Sequence, residues 1–265
     1  MISVGAKKRM GSKVIFLFLM SCGLAVAAQT AAPADPTVGF TLDFPGSIPG
    51  RYSITVASSG KASYTSGPSS ASGPSGANAS SSATTKTSAS DDSDDPSSDS
   101  ETVSNAASQE TFHYEFTVSE GTRRRIFDLA ERAHYFDGNL DYNKHKLANT
   151  GSKTLTYQDG RVNHHSTYNY TTNQPAQQLT VLFQNMSATL EFGRRLSDDY
   201  RHQKLALEQE LKRMEEMAKG NNLEELQAVS PILKQILSDK SVINVTRARA
   251  ERLLALAASG SRRER

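Results

Sequence analysis

The alternation of hydrophobic and polar positions predicts a strand that leads directly into a helix at residues 112–136. Over residues 112–118 every second residue is apolar, which is the period of a half-buried strand. Ser119 stands where a helix N-cap is expected, because its hydroxyl can accept a hydrogen bond from a free amide of the first turn. Apolar residues then recur at helical spacing, and Gly138 and Asn139 suit the C-terminal cap of this helix.

The same alternation predicts strands on both sides of this stretch. A first strand covers residues 38–42, and residues 52–66 form a β-hairpin. A second hairpin is centred on Asp159 and Gly160, a pair typical of a type I′ turn. Few connections are long enough for a parallel crossover, so we expect a mainly antiparallel sheet.

A long polar segment interrupts these strands. Residues 67–109 contain one large aliphatic residue, Val103, and are predicted to be disordered because they can bury too little apolar surface. Residues 36–66 are too few to fold alone without disulfides or metal. We therefore expect the strands on either side to pair, which makes 67–109 a loop inside one sheet. The entropic cost of closing such a loop rises by only about 0.6 kcal/mol for each doubling of its length.

Helical periodicity dominates the chain after the second hairpin. One helix opens with Pro175 at its first position. Beyond it, an apolar stripe over residues 196–217 marks one face of a long charged helix that ends at Gly220. The stripe could receive a protein partner, or it could pack on the protein's own sheet or C-terminal helices. Residues 223–237 and 242–257 form a helical hairpin.

Together these elements predict an α+β fold, in which a small, mainly antiparallel sheet packs on helices and is followed by a long helix and a helical hairpin. The predicted organisation is a signal peptide at 1–28, a discontinuous sheet-and-helix domain at 36–66 plus 110–193, a disordered Ser/Ala/Asp-rich insertion at 67–109, and a helical C-terminal region at 194–259. The sheet is therefore expected to be complete only when both of its segments come together.

The N-terminus predicts export to the periplasm or the exterior. Residues 1–28 contain a basic stretch, a short apolar run and a small-x-small sequence before a cleavage point at Ala27 or Ala28. The run is shorter than the ~20 apolar residues that span a bilayer, so we expect no stable membrane span after processing. Cys22, the single cysteine, lies inside it, so the mature chain has no thiol for disulfides, metal binding or catalysis. The Leu-Met-Ser-Cys sequence ending at Cys22 also resembles a lipoprotein box, which leaves lipidation as a second route.

The charge balance makes no strong case for nucleic acid or an anionic membrane. The chain has a formal net charge of +2. Removing the four basic residues within 1–28 leaves the mature chain near −2, and without the acidic segment 67–109 the remainder is near +3. These small values predict no nucleic-acid partner.

Three stretches resemble a family of uncharacterised secreted bacterial proteins. They are Leu42–Ser47, which reads LDFPGS, Tyr52–Val56, which reads YSITV, and the Phe127–Ala130 helix that ends in Tyr135-Phe136. The resemblance covers roughly 36–66 and 110–258. It implies secretion and a shared fold, but it implies no activity, because none is assigned to that family.

No catalytic or metal-binding motif is present. The histidines have neither HExxH nor Cys/His spacing, and His164 and His165 point to opposite faces of one strand. His113 could meet one of that pair across the sheet, although a surface role is the simpler interpretation. The chain has no G-x-S-x-G elbow, P-loop or G-x-G-x-x-G sequence. The six histidines are His113, His134, His145, His164, His165 and His202.

The charged clusters also lack a specific pattern. The acids at 91–95 fail the EF-hand pattern, because Pro96 and Thr102 stand where Gly and Glu are required. Arg123–Arg125, in the first turns of a helix, could bind an anion, but cations there oppose the helix dipole and a solvated face is expected. Four carboxylates could supply a glycosidase pair, as in many chains: Glu110, Glu115, Asp128 and Asp137. We therefore expect no catalytic residue, cofactor or metal ligand.

An export signal joined to a helix-rich tail without a catalytic signature favours a non-enzymatic binding or interaction module of the cell envelope or exterior. The alternative is a secreted hydrolase whose carboxylate or histidine site the sequence does not reveal. A third hypothesis is self-association through the long helix, and the sequence leaves the oligomeric state open.

Overall fold

Six strands form one antiparallel sheet in the computed structural model, which describes residues 35–69, 111–142, 144–145 and 147–263. The strands are β1 Thr37–Asp43, β2 Arg51–Ala57, β3 Lys61–Gly67, β4 Phe112–Thr117, β5 Ser152–Gln158 and β6 Asn163–Tyr168. Their order is β4-β3-β2-β1-β5-β6, and every neighbouring pair is antiparallel. The predicted sheet is therefore confirmed.

The sheet contains strands from both sides of the polar segment. Ser66 in β3 lies opposite Phe112 in β4, and β1 pairs with β5 from the second hairpin. A Cβ built on Gly67 would lie 3.5 Å from the Thr111 Oγ1 atom, so the two ends of the interruption meet at one sheet edge. The prediction of one interrupted sheet is confirmed. Disorder was predicted for 67–109. Gly67 instead lies in β3, residues 68–69 are also described, and residues 70–109 lie outside the described residues.

Five α-helices complete the described fold. They are α1 Glu120–Arg132, α2 Gln174–His202, α3 Leu207–Lys219, α4 Ser230–Ser238 and α5 Asn244–Arg263. Two 3₁₀ turns, His134–Phe136 and Leu226–Val229, follow α1 and precede α4. Within the described ranges, no helix combines the length and apolarity needed to cross a membrane.

Among the described residues, the helices cover one face of the sheet and leave the other open. Phe40 of β1 stacks on Phe183 of α2 with ring centroids 5.5 Å apart, and Ile54 and Leu155 are fully buried beside them. The opposite face is rich in hydroxyls, as in the row where Thr41 lies between Ser53 and Thr154. This division is typical of an antiparallel sheet with one solvated face.

The structure corrects the predicted end of α1. Ser119 is the N-cap and accepts a hydrogen bond from the Thr122 amide at 3.3 Å, as predicted. The helix ends at Arg132 rather than near 136, because the next turn, His134–Phe136, has three consecutive residues with positive φ. Gly138, with φ of +94°, follows that turn and does not cap α1. Phe136 remains fully buried, so the left-handed turn still delivers the predicted apolar side chain to the core.

The second hairpin is confirmed, but its turn differs from the prediction. The Asp159 amide donates to the Val162 carbonyl at 3.1 Å, so the two central residues are Gly160 and Arg161. Gly160 has φ of +82°, and Arg161 is not among the residues with positive φ. A type I′ turn requires positive φ at both central positions. Asp159 instead sits before the turn, where its carboxylate accepts from the Arg161 and Val162 amides.

The long helix lies earlier in the chain than predicted. α2 is continuous for 29 residues and crosses the predicted division at 193/194, whereas α3 contains only 13 residues. The buried side chains nevertheless form two clusters along α2. Leu190 belongs to the cluster under the sheet, and Phe192 belongs to the cluster among the helices. A single helix thus joins the sheet to the helical region.

The apolar stripe of 196–217 packs within the protein. Leu196, Leu207, Leu211 and Met214 are fully buried in the helical cluster, and Tyr200 and Met217 pack against it. This outcome agrees with the second interpretation of the stripe. The buried side chains are not available to a protein partner.

Candidate functional site

The histidines that an enzyme could have brought together are far apart. His113 lies on β4 and His164 and His165 lie on β6, at opposite edges of the sheet. Five strand spacings of about 4.8 Å place these edges about 24 Å apart. His113 instead contacts the Thr65 hydroxyl at 3.2 Å and lies 3.7 Å from the Glu115 carboxylate. The structure therefore brings none of these predicted candidates together.

The other candidate residues are also dispersed. Glu115 is exposed on β4, Asp128 is exposed on α1, and Asp137 is exposed beyond the 3₁₀ turn. Glu110 and the acids at 91–95 lie outside the described residues. Among the described residues, no group of three or more His, Cys, Asp or Glu side chains could hold a metal ion. The remaining histidines are exposed on three separate segments: His134, His145 and His202.

The arginine run on α1 has ordinary surface contacts. Arg123 donates to the Ser58 carbonyl at 2.7 Å and so holds the β2–β3 turn, while Arg124 forms an ion pair with Glu120. Arg125 is exposed. These contacts fit the predicted solvated face.

A cleft of about 500 Å³ lies between α2 and α4 and is closed at one end by β4. On α2 its lining residues recur every three or four positions, which places them on one face of the helix. We call it the α2–α4 cleft. Its lining residues are Thr111, Phe112, Tyr114, Leu190, Gly193, Arg194, Ser197, Asp198, Arg201, Ala228, Val229, Pro231, Ile232 and Gln235.

The inner end of the cleft is apolar because three elements converge there. Phe112 and Tyr114 come from the helix-facing side of β4, and Leu190 and Val229 are buried at its floor. Gly193 allows α2 to approach the 3₁₀ turn closely, since an added Cβ would lie 2.6 Å from the Val229 Cγ1 atom. The sheet, α2 and the C-terminal helices thus meet at this floor.

Two hydroxyls of the cleft lining are already bonded within the protein. The Tyr114 hydroxyl donates to the Ala228 carbonyl at 2.9 Å. The Ser197 hydroxyl donates to the Gly193 carbonyl at 2.8 Å. A ligand at the inner end would therefore meet hydrocarbon surface and few free hydrogen-bond donors.

A buried carboxylate stands behind the cleft wall. Glu191 accepts from the Tyr64 hydroxyl at 2.8 Å, the Ser66 hydroxyl at 2.7 Å and the Arg194 Nε atom at 2.9 Å. Burial raises the pKa of the Tyr64 phenol far above its usual value, so Tyr64 remains a donor to this carboxylate. With three donors, Glu191 fastens α2 to β3 and is not a free catalytic base.

The outer end of the cleft carries charged groups of both signs, Arg194, Asp198 and Arg201. Arg194 is neutralised by Glu191 and lies 3.7 Å from the Asp198 carboxylate. Arg201 also lines the cleft, and no carboxylate of the described residues lies within ion-pair distance of it. A second cavity of about 380 Å³ continues past Arg201 to Lys204, which is paired with Asp239 at 2.7 Å. The groove therefore has an apolar inner end and an unpaired guanidinium near its outer end.

Sequence reasoning did not find this cleft. Apart from Leu190, its α2 residues are polar or small, so they resembled an ordinary solvated surface. Gly193 in the middle of a helix was the one available signal, because a helical glycine is unfavourable unless packing requires it.

A buried lysine forms the other unusual polar site. Lys153 donates to the Thr150, Gly151 and Asn169 carbonyls and to the Thr150 hydroxyl, over distances of 2.9 to 3.2 Å. Burial lowers the pKa of its ammonium group. All its partners are neutral oxygens of two chain segments, so Lys153 ties the loop before β5 to the end of β6.

Comparison with protein-family models, curated proteins and solved structures finds no match to this chain. The resemblance to secreted bacterial proteins therefore stays a prediction, and any function must be argued from the α2–α4 cleft itself.

Proposed function

We propose that this protein is an exported, non-enzymatic binding module and that the α2–α4 cleft is its ligand site. The observation that carries the proposal is a cleft of about 500 Å³ with an apolar floor and an arginine, Arg201, that has no ion-pair partner among the described residues. Ligand pockets in proteins are typically concave, mostly apolar and of about 300–1,000 Å³, with few polar groups. Export rests on the sequence pattern of residues 1–28.

The hydrolase alternative receives little support from the same geometry. Convergence of His113 with His164 or His165 near acids would favour it, but these histidines lie on opposite edge strands. The most buried carboxylate beside the cleft, Glu191, is held by three donors. A binding role requires no such convergence and uses the groove as it stands.

A neutral fluorescent probe tests the proposed site. We expect N-phenyl-1-naphthylamine to bind the mature chain with enhanced fluorescence, because its rings fit an apolar cleft. Ser197→Phe should abolish most of this signal by filling the cleft from α2. Ser259→Phe is the matched control, because the Ser259 hydroxyl also bonds to a preceding helix carbonyl at 2.8 Å but lies outside the cleft.

Gln235→Trp provides a second filling variant at the rim of the cleft, where the side chain is exposed and a larger group does not disturb the core. Circular dichroism and thermal unfolding would establish that each variant is folded. Equal probe binding by the native chain and both filling variants would refute the proposed site, as would the absence of any binding.

A further inference from the structure

The shape of the groove selects an elongated ligand. Leu190 and Arg201 mark its two ends on α2 and are eleven residues apart, which corresponds to about 16 Å along the helix at 1.5 Å per residue. α4 forms the opposite wall through Pro231, Ile232 and Gln235. A groove of this length between two helices suits a linear chain better than a compact molecule.

The inner end of the groove selects hydrocarbon over peptide. Its side chains are Phe112, Tyr114, Leu190 and Val229, and the Tyr114 hydroxyl already donates to a carbonyl of the chain. A peptide backbone placed there would bring amides and carbonyls without partners, and burying such groups is unfavourable. An acyl chain has no polar groups to satisfy along its length.

The outer end offers one cation to a ligand, because Asp198, the carboxylate of the lining, lies beside Arg194. Arg201 is the guanidinium of the cleft lining that has no carboxylate partner among the described residues, whereas Arg194 is paired with Glu191. Lys204, farther along the groove, is paired with Asp239. Within the part of the chain that the structure describes, the groove thus offers one cation without an ion-pair partner, about 16 Å from its apolar end.

We infer that the ligand is a fatty-acid-like monoanionic amphiphile, with its acyl chain against Phe112, Tyr114 and Val229 and its carboxylate on Arg201. This inference rests on the proposed function, because it names the ligand class of the same cleft. Apolar burial supplies most of the affinity, and the charge-assisted bonds of a guanidinium to a carboxylate fix the direction of the chain.

Displacement of the neutral probe tests the proposed ligand class separately from the existence of the binding site. Dodecanoate, below its micelle concentration, should displace N-phenyl-1-naphthylamine from the native chain more effectively than dodecan-1-ol, which has the same chain without the charge. Arg201→Gln should weaken displacement by dodecanoate roughly tenfold, the loss expected for a hydrogen-bonded charge. Displacement by dodecan-1-ol should weaken much less than displacement by dodecanoate, because the variant keeps the apolar end intact.

Arg125→Gln is the matched control, since it removes an exposed arginine of α1 that does not line the cleft and should leave both ligands unaffected. Equal displacement by dodecanoate and dodecan-1-ol, unchanged in Arg201→Gln, would overturn the fatty-acid inference and leave the binding site standing. Failure of the probe to bind, or binding that neither filling variant reduces, would instead refute the site. A dimer in sedimentation equilibrium that Ser197→Phe dissociates would overturn the inference by making a second copy the occupant.

Discussion

At the residue scale, the buried carboxylates of the helical region are held by arginines. Glu215 of α3 has a side chain only 6% exposed and accepts from Arg249 at 2.8 Å and Arg252 at 2.9 Å, with Lys219 at 3.3 Å. The bonds from Arg252 contribute most to lowering the pKa of this carboxyl, from its usual 4.5 to about 2. Sequence spacing alone indicates only Lys219 as a partner, four residues along the same helix, because the arginines lie more than thirty residues away on α5.

The lowered pKa of Glu215 makes stability depend on acid pH. A carboxyl whose folded pKa is below its unfolded pKa stabilises the protein above about pH 4.5 and loses that contribution as the pH falls towards about 2. We expect acidification over this range to remove about 2 kcal/mol more from the native chain than from Glu215→Gln, after allowance for solvent around half-exposed Arg252. Urea unfolding at several pH values measures the difference.

Glu216→Gln is the control for this pH experiment, because Glu216 is the exposed neighbour of Glu215 on the same helix. Its variant should keep the acid sensitivity of the native chain. Identical loss of stability in native protein and Glu215→Gln would show that the ion pairs of Glu215 contribute nothing measurable.

At the scale of elements, the N-terminus of α1 connects the sheet to the helical region. The Ser119 amide and hydroxyl donate to the two oxygens of the Glu225 carboxylate at 2.9 and 2.8 Å. Glu225 is buried with φ of +59°, in the left-handed region that most side chains avoid. A negative charge at a helix N-terminus is favourable because it faces the positive end of the helix dipole. Tyr114, which bonds to the Ala228 carbonyl, makes a second link nearby.

Ser119→Ala should destabilise the protein, because the Ser119 hydroxyl both caps α1 and donates to Glu225. The substitution removes the N-cap hydroxyl and one donor to Glu225, and we expect the free energy of unfolding to fall by about 1–2 kcal/mol. Chemical denaturation at neutral pH measures the change. Ser238→Ala is the comparison, because its exposed hydroxyl bonds only to the Gln235 carbonyl and its loss should change stability by less than about 0.5 kcal/mol. Equal effects of the two substitutions would refute the proposed link.

At the scale of the whole molecule, the sheet is assembled across a long interruption. β3 and β4 pair in register from Lys61↔Thr117 to Ser66↔Phe112, although more than forty residues separate them in sequence. The strands that precede the interruption occupy the middle of the sheet, and strands from later in the chain pair on both sides of them. The segment before the interruption therefore has no independent core.

Replacing residues 70–110 by a short Gly/Ser linker should preserve the fold. Gly67 and Thr111 are already close, so the replacement shortens the loop without moving β3 or β4. A shorter loop lowers the entropic cost of loop closure. We therefore expect the free energy of unfolding to be unchanged or increased by about 1 kcal/mol. Thermal unfolding and the circular dichroism spectrum provide the measurement. As a control, truncation before β4 should prevent folding, and loss of fold in the linker variant would contradict this account.

Local patterns predicted most elements but not their ends. The alternation in 112–118 and the cap at Ser119 depend on neighbouring residues alone, and both are confirmed. The end of α1 and the turn at Gly160-Arg161 depend on how the chain must bend to reach its next partner, which no local pattern records. The continuous course of α2 through residue 193 was missed because a glycine in a helix suggests a boundary when its packing partner is unknown.

The sequence by itself determined the α+β class, the antiparallel sheet and its interruption, since periodicity, strand length and apolar content act over short distances or through composition. Only the tertiary structure decided that the 196–217 stripe is internal, that the candidate histidines lie at opposite edges, and that polar residues of α2 line a cleft. The spacing of apolar residues along an element shows which side chains lie on the same face. Packing between segments that are distant in sequence decides which neighbour covers that face.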